Sequence, residues 1–313
     1  MNKVFKKLAI AAAVMAAGIA PIAANASALG MADLAITSLR LFDASTNAPI
    51  NLGFITLNGI QNTGIAGADY NGVSSSNGPT NKTGSGDVDV LFQLVGTPSP
   101  LYGGSLENNT TTHVKVPTTN YALGDMFVSG NAIATGGTQG LTRADASAVG
   151  PTNVGGSNST IQNSASVTAN FTVNTTKNVY FSIDYNIFVK TALTLLAGEF
   201  GAATASTDFG LNIANNTTGQ QNFFSFSPTE LQRNFSTFNG LPGSQREYEA
   251  IGTVISQQGV LTGGNDYSLT ISQHSNASVR DQQQPSRVPE PGTMALLGLG
   301  LLGLAATRRR AVK

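Results

Sequence analysis

The chain has 313 residues, of which 41% are hydrophobic and only 11% charged, so its polar surface rests mainly on uncharged Ser, Thr, Asn, Gln and Gly. Zero cysteines exclude disulfides, thiolate metal sites and cysteine nucleophiles together. The formal net charge of zero hides an asymmetry. Seven of the 17 basic residues (Lys3, Lys6, Lys7, Arg308, Arg309, Arg310 and Lys313) lie in the terminal segments, and the remainder holds 10 basic against 17 acidic side chains, a net charge of −7. That balance argues against nucleic-acid binding, which requires a basic face.

In chain order, Lys3, Lys6 and Lys7 precede an apolar run from Leu8 to Ile19, then Pro21 and the small residues Ala24-Asn25-Ala26. This order of basic, apolar and small residues is that of a secretory signal peptide, here a helix over 1–26, and the run is too short for a comfortable membrane span. Signal peptidase is expected to cut between Ala26 and Ser27, although Ala26-Ser27-Ala28 offers a second small-x-small site and a start at Leu29.

Residues 27–284 read as one exported β-rich domain. Low Lys and Glu content favours strands over helices. Expected strands are Leu34 to Phe42, Gly53 to Asn58, Asp87 to Val95, His113 to Val116 and Asp125 to Ile133. Two more come next: Ala165 to Asn174 alternates apolar and polar residues with a clean period of two, and the alternation resumes from Val179 to Lys190. These two are expected to pair as a central hairpin. Thr207 to Ile213, Asn222 to Phe226, Tyr248 to Ser256 and Tyr267 to Gln273 complete the set. Stretches rich in Gly, Asn and Ser from Gly67 to Ser85 and from Gly150 to Ser159 are expected as exposed loops, and Ala192 to Leu196 hints weakly at a helix. Many short strands between turn residues imply an all-β, antiparallel β-sandwich or jelly roll.

Candidate chemistry in this domain is sparse. With only His113 and His274, no His-based metal cage is expected, and no metal or cofactor is predicted. Ser147 stands in no nucleophile elbow. The pairs Asp87 with Asp89 and Glu247 with Glu249 are spaced i and i+2, which on a strand sets two carboxylates on one face ~6.5–7 Å apart, near the separation used by inverting glycosidases. A solvated outer face explains them more simply. Asp69, Asp87 and Asp89 suit a weak calcium site in residue type, without the spacing of a calcium-binding loop. Phe223, Phe224, Phe226, Phe235 and Phe238 are expected in the core rather than stacked on sugars.

The last segment, 285–313, has its own order. Val288-Pro289-Glu290-Pro291-Gly292 precedes Thr293 to Thr307, 15 residues without a charge, and then Arg308, Arg309, Arg310 and Lys313. As a helix the apolar segment is ~22 Å long, short of the ~30 Å hydrocarbon core. The three arginines act as a cytoplasmic stop by the positive-inside rule, leaving everything before Thr293 outside. The two prolines lack N–H donors and impose an extended backbone that a protease can read. A plain single-pass anchor has the same physics.

This succession of Pro-Glu-Pro, short apolar helix and terminal basic cluster resembles the PEP-CTERM sorting domain of Gram-negative bacteria. The resemblance is confined to the tail. It implies that the chain is a substrate of exosortase, an integral membrane cysteine protease, with Val288, Pro289, Glu290 and Pro291 as the sorting motif. It also implies a transient inner-membrane precursor, delivery to the cell surface or exterior, and association with exopolysaccharide in biofilm. The expected protein is therefore a non-enzymatic surface or matrix component, with a glycan-binding module or a secreted glycan hydrolase as alternatives.

Overall fold

The computed structural model describes residues 27–283 apart from 52, 85–86, 103–105, 134–136, 151–153, 162–166, 196–198 and 239–243. The expected signal helix, Ala26 and the whole tail from Val288 to Lys313 lie outside the described residues. Sixteen strands are described: β1 (Ser27–Asp43), β2 (Ala48–Pro49), β3 (Ile55–Tyr70), β4 (Val73–Thr83), β5 (Val88–Gly96), β6 (Tyr121–Asn131), β7 (Gly137–Val149) and β8 (Val154–Ile161) come first. They are followed by β9 (Val167–Val173), β10 (Lys177–Thr194), β11 (Glu199–Asn215), β12 (Gln220–Phe226), β13 (Arg233–Phe238), β14 (Ser244–Ile255), β15 (Gly259–Leu261) and β16 (Asp266–Gln283). Among the described residues there is no α-helix, only single 3-10 turns at Pro100–Tyr102 and Thr229–Leu231.

The strands form two antiparallel sheets packed as a sandwich, as the composition and alternation require. The first sheet runs β14-β10-β1-β7-β6-β5, with β15 also on β10 and β2 on β1. The second runs β12-β11-β16-β8-β3-β4, with β13 beside β12 on β11 and β9 bridging β16 and β3. The long strands β1, β10, β11 and β16 run the length of the molecule, ~50 Å at the usual rise per residue.

Two kinds of packing share this length. Toward the ends of β1 and β10 marked by Asp43 and Val179, the core is large and aromatic: Leu34, Leu39, Phe171, Phe181, Phe209, Tyr267 and Leu269 are all buried. Phe181 packs on Phe224, ring centroids 5.7 Å apart. Toward Ser27 most inward residues become small, with Ala28 on β1, Ala144, Ala146 and Ala148 on β7, Ala203 on β11 and Ala277 on β16, and only Tyr70, Leu193, Leu195 and Val279 of the same cluster are larger. The sheets approach so closely there that a Cβ on Gly30 would lie 2.5 Å from the carbonyl oxygen of Thr204. Only glycine fits such a position.

The same half gains a third layer. The described residues between β5 and β6, 97–102 and 106–120, fold over the outer face of the first sheet, where Tyr102 and Val114 bury Leu29, Met31, Tyr121, Leu123 and Phe188. Hence β7 is buried on both faces along most of its length. A sequence pattern built for one wet face misses such a strand.

Several local expectations need correction. Val167–Val173 and Lys177–Thr194 do not form a hairpin: β9 pairs with β16 and β3, whereas β10 pairs with β1 and β14 in the other sheet. Alternation correctly marks the buried face of each, but both faces look into the same core from opposite sides. Gly67 to Ser85 is not a loop. It holds the end of β3 and all of β4, turned at Asn71 (φ 51°) and Gly72 (φ 78°), the Asn-Gly pair that suits a tight hairpin. Within Gly150 to Ser159, β8 begins at Val154. Ala192 to Thr194 continue β10 instead of starting a helix. His113 to Val116 belong to the covering loop, not to a strand.

Candidate functional site

Beneath the covering loop lies a buried polar cluster built from outward positions of β1, β6 and β7. Arg143 on β7 is fully buried. Its Nη2 stands 2.9 Å from Asp145 Oδ2 and its Nε donates to the same oxygen at 3.0 Å. The guanidinium also donates to Tyr102 Oη at 3.1 Å, to the Thr112 carbonyl at 2.6 Å and to the Asn109 carbonyl. Tyr102 in turn donates to Asp145 and lies 3.1 Å, hydroxyl to hydroxyl, from Tyr121. Five donors in a fixed plane let one arginine satisfy a carboxylate and two loop carbonyls at once. The arrangement fastens residues 97–120 to the sheet.

Two carboxylates flank this latch. Asp33 on β1 contacts His113 at 3.3 Å, and the His113 ring stacks on Phe188 with centroids 3.9 Å apart. Burial pushes the Asp33 carboxyl above the usual range. Asp125 on β6 accepts the Asn108 N–H at 2.6 Å, and burial, reinforced by Glu107, pushes it up to about 7. Both carboxylates are buried and hold the loop to the sheet.

The residues singled out in the sequence are scattered. Asp89 accepts from Asn108 Nδ2 at 3.2 Å beside Glu107, while Asp87 is exposed just before β5. Glu247 is bound to Lys190 at 2.6 Å and Lys115 at 3.5 Å, which lowers its pKa, with Glu249 exposed two residues on. Asp69 accepts from Ser74 Oγ at 2.6 Å on the other sheet. Among the described residues no three His, Cys, Asp or Glu side chains converge to hold a metal ion. His274 lies in the middle of β16, opposite Asp208 of β11, and burial lowers its pKa. Ser147 donates to the Thr119 carbonyl at 2.7 Å and belongs to the loop attachment. Of the phenylalanines, Phe224 is buried, Phe223, Phe226 and Phe235 pack against the aromatic core, and Phe238 is 62% exposed.

The place at which the sandwich joins its terminal segments is a feature the sequence did not foretell. Ser27 pairs with Thr194 at the end of β10, and Gln283 pairs with Glu199 at the start of β11. Residues 194 and 199 are five apart, so both chain ends leave the sandwich at one end. Inside that end, Asp281 is fully buried, and neither of its carboxylate oxygens makes a hydrogen bond. Burial, with Glu199 nearby, raises it to about 6, and burial with Asp281 nearby raises Tyr70 to about 12.

Residues 287–310 match the model of the PEP-CTERM protein-sorting motif. That match contains the Pro-Glu-Pro triplet, the apolar segment and the arginines. The motif marks an exported, envelope-sorted protein that is sorted through its C-terminus, and it is associated with exosortase processing. No curated protein and no solved structure matches the chain. Among the described residues no helix is long and apolar enough to cross a membrane.

Proposed function

From the premise that this chain is a PEP-CTERM domain-containing protein, exported and sorted through its C-terminus, we propose that it is a non-enzymatic structural component of the cell surface or extracellular matrix. The observation that carries this reading is the motif itself, set a few residues beyond the last strand of the sandwich. The signal peptide over 1–26 directs export. Residues 293–307 then hold a precursor in the inner membrane, with Arg308, Arg309 and Arg310 retained on the cytoplasmic side. An exosortase-like protease reads Pro289, Glu290 and Pro291 and releases the sandwich toward the surface.

Exopolysaccharide is the proposed partner of the released domain. Support comes from the outer face of the second sheet, where Gly67, Asp69, Ser76, Thr204, Asn276 and Ser278 line a shallow surface of small residues with one carboxylate among them. Hydroxyls, amides and a carboxylate of this kind exchange hydrogen bonds with sugar hydroxyls. The strand order also bears on signal cleavage. Ser27 and Ala28 are already paired in β1, and Ala28 is buried among the alanines of the narrow half. Cutting after Ala26 keeps both residues, so Ser27 is the proposed mature N-terminus instead of Leu29.

Fractionation of cells expressing a chain tagged within the sandwich tests the proposal. Glu290→Ala, or replacement of Pro289 and Pro291, is expected to trap a precursor of higher mass in the inner membrane. Arrival of the variants in the same compartment at the parent's mass would show the tail to be a plain anchor or a bystander.

A further inference from the structure

The end of the sandwich that carries both chain termini also carries exposed aromatics. Phe200 is 43% exposed and Phe238 is 62% exposed. They share the outer face of the second sheet, because Phe238 on β13 and Arg280 on β16 stand directly opposite Ala202 of β11 from either side, two residues from Phe200. Arg280 is exposed, and Arg246 on β14 lines one cleft together with Phe238. Val73, 60% exposed, sits on the β3–β4 turn at the same end, opposite Tyr70. Phenylalanines beside arginines form a pattern suited to a bilayer interface: the rings enter the headgroup and acyl boundary while guanidinium groups bind phosphate.

The chain outside the sandwich says what this end faces. Nine residues lie between Gln283 and Thr293, the first of the apolar segment, and the span cannot reach beyond ~35 Å even fully extended. That limit is shorter than the ~50 Å length of the sandwich, so only this end can be held next to a membrane without the tail folding back along the domain. We infer that in the precursor this end docks on the phospholipid surface, with Phe200 and Phe238 as interfacial anchors and Arg246 and Arg280 as headgroup contacts. Docking presents the Pro-Glu-Pro triplet at the membrane surface. The inference rests on the sorting reading, since the apolar segment supplies the tether.

Because the chain has no cysteine, single thiols report cleanly. The full chain is placed in vesicles of phosphatidylethanolamine and phosphatidylglycerol, with an environment-sensitive fluorophore at Gln245→Cys, beside Phe238, or at Thr218→Cys, on the turn at the opposite end. The Gln245 probe is expected to be quenched severalfold more by a lipid-borne quencher than the Thr218 probe. Adding Phe200→Ser and Phe238→Ser should bring the two to parity while the chain still sediments with the vesicles. Equal quenching of both probes in the membrane-bound parent overturns the docking but leaves the tether standing. Shielding of the Gln245 probe that persists in detergent and grows with protein concentration assigns the patch to a second copy and also overturns it. Failure to sediment with vesicles overturns the tether and the docking together.

Discussion

The two halves of the sandwich solve the same packing problem by opposite means. The half distant from the termini separates its sheets with Phe171, Phe181, Phe209 and Tyr267 and leaves the outer face of the first sheet open, with Thr37 exposed and Ser38 and Arg40 half-exposed. The half near the termini brings its sheets together on Ala28, Gly30, Ala144, Ala146 and Ala277, so its interior is narrow, with Tyr70, Leu193, Leu195 and Val279 as its larger side chains. It recovers burial on the outside, where residues 97–120 cover Leu29, Met31, Tyr121 and Phe188. Each fully buried large apolar side chain is worth ~1.5–3 kcal/mol, and the loop therefore restores what the thin core lacks. The difference teaches that a sheet sandwich can be narrow where it is also layered.

The comparison breaks most severely at Phe181. Phe181→Asp would bury an unpaired carboxylate in the aromatic half and is expected to abolish folding, while Phe181→Ala should cost about 3–5 kcal/mol in denaturant unfolding. A milder loss would mean that the aromatic half is not the main core. The layered half should instead depend on its latch. Arg143→Met leaves Asp145 and two loop carbonyls without their shared donor, with an expected loss of about 3–5 kcal/mol. Adding Asp145→Leu should recover part of it, and hydrogen exchange should show residues 97–120 opening first.

Size tolerance should invert between the halves. Gly30→Ala and Ala146→Leu overpack the closely spaced sheets and should cost about 1–3 kcal/mol each, whereas enlarging a residue on the open face of the second sheet, such as Ser206→Thr, should be neutral. Thermal denaturation of the purified domain variants distinguishes the two responses.

The halves should also answer pH differently. Asp281, in the narrow half, ionises near 6 in the fold and near 4 when unfolded, so the folded state holds the extra proton between those values. Stability should then fall as pH rises from about 4 through 6 and level off above, by less than ~1.4 kcal/mol per pH unit. Asp281→Asn should flatten that slope. Asp43, in the aromatic half, is held low by Lys177 and Ser45, so its contribution is present at neutral pH and is lost only as pH falls below the ordinary carboxylate range. Melting curves of both proteins from pH 2 to 8 check the signs. The smallest effect belongs to Ser182→Asp, on the open face opposite Arg40, which should stay within about 0.5 kcal/mol of the parent.

Much of the aromatic half was legible in the sequence, because its strands have one dry and one wet face. Val167–Val173 and Lys177–Thr194 alternate with a period of two, and the structure buries the residues that the alternation selects where it describes them. The layered half was not legible in the same way. In β7, Arg143 and Asp145, which sequence reasoning did not single out, are fully buried because they satisfy each other and the loop. The strand β4, nearly all exposed Ser, Asn and Thr, carries almost no apolar signal, and its stretch was expected as a loop although Asn71-Gly72 suits the hairpin turn the structure has there.

The sequence by itself determined the all-β class, the absence of disulfides and the sorting tail. Each follows from composition, local periodicity or a contiguous motif, all of which act over a few neighbouring residues. Only the tertiary structure decided which strands pair, since alternation names a face and never a neighbour. It alone assigned β9 and β10 to different sheets, folded residues 97–120 over β7, and gathered Ser27, Gln283, Phe200 and Phe238 at one end. Those groupings join residues up to 256 positions apart. They are fixed by burying apolar area and satisfying backbone hydrogen bonds over the whole chain, a condition that no short stretch of sequence contains.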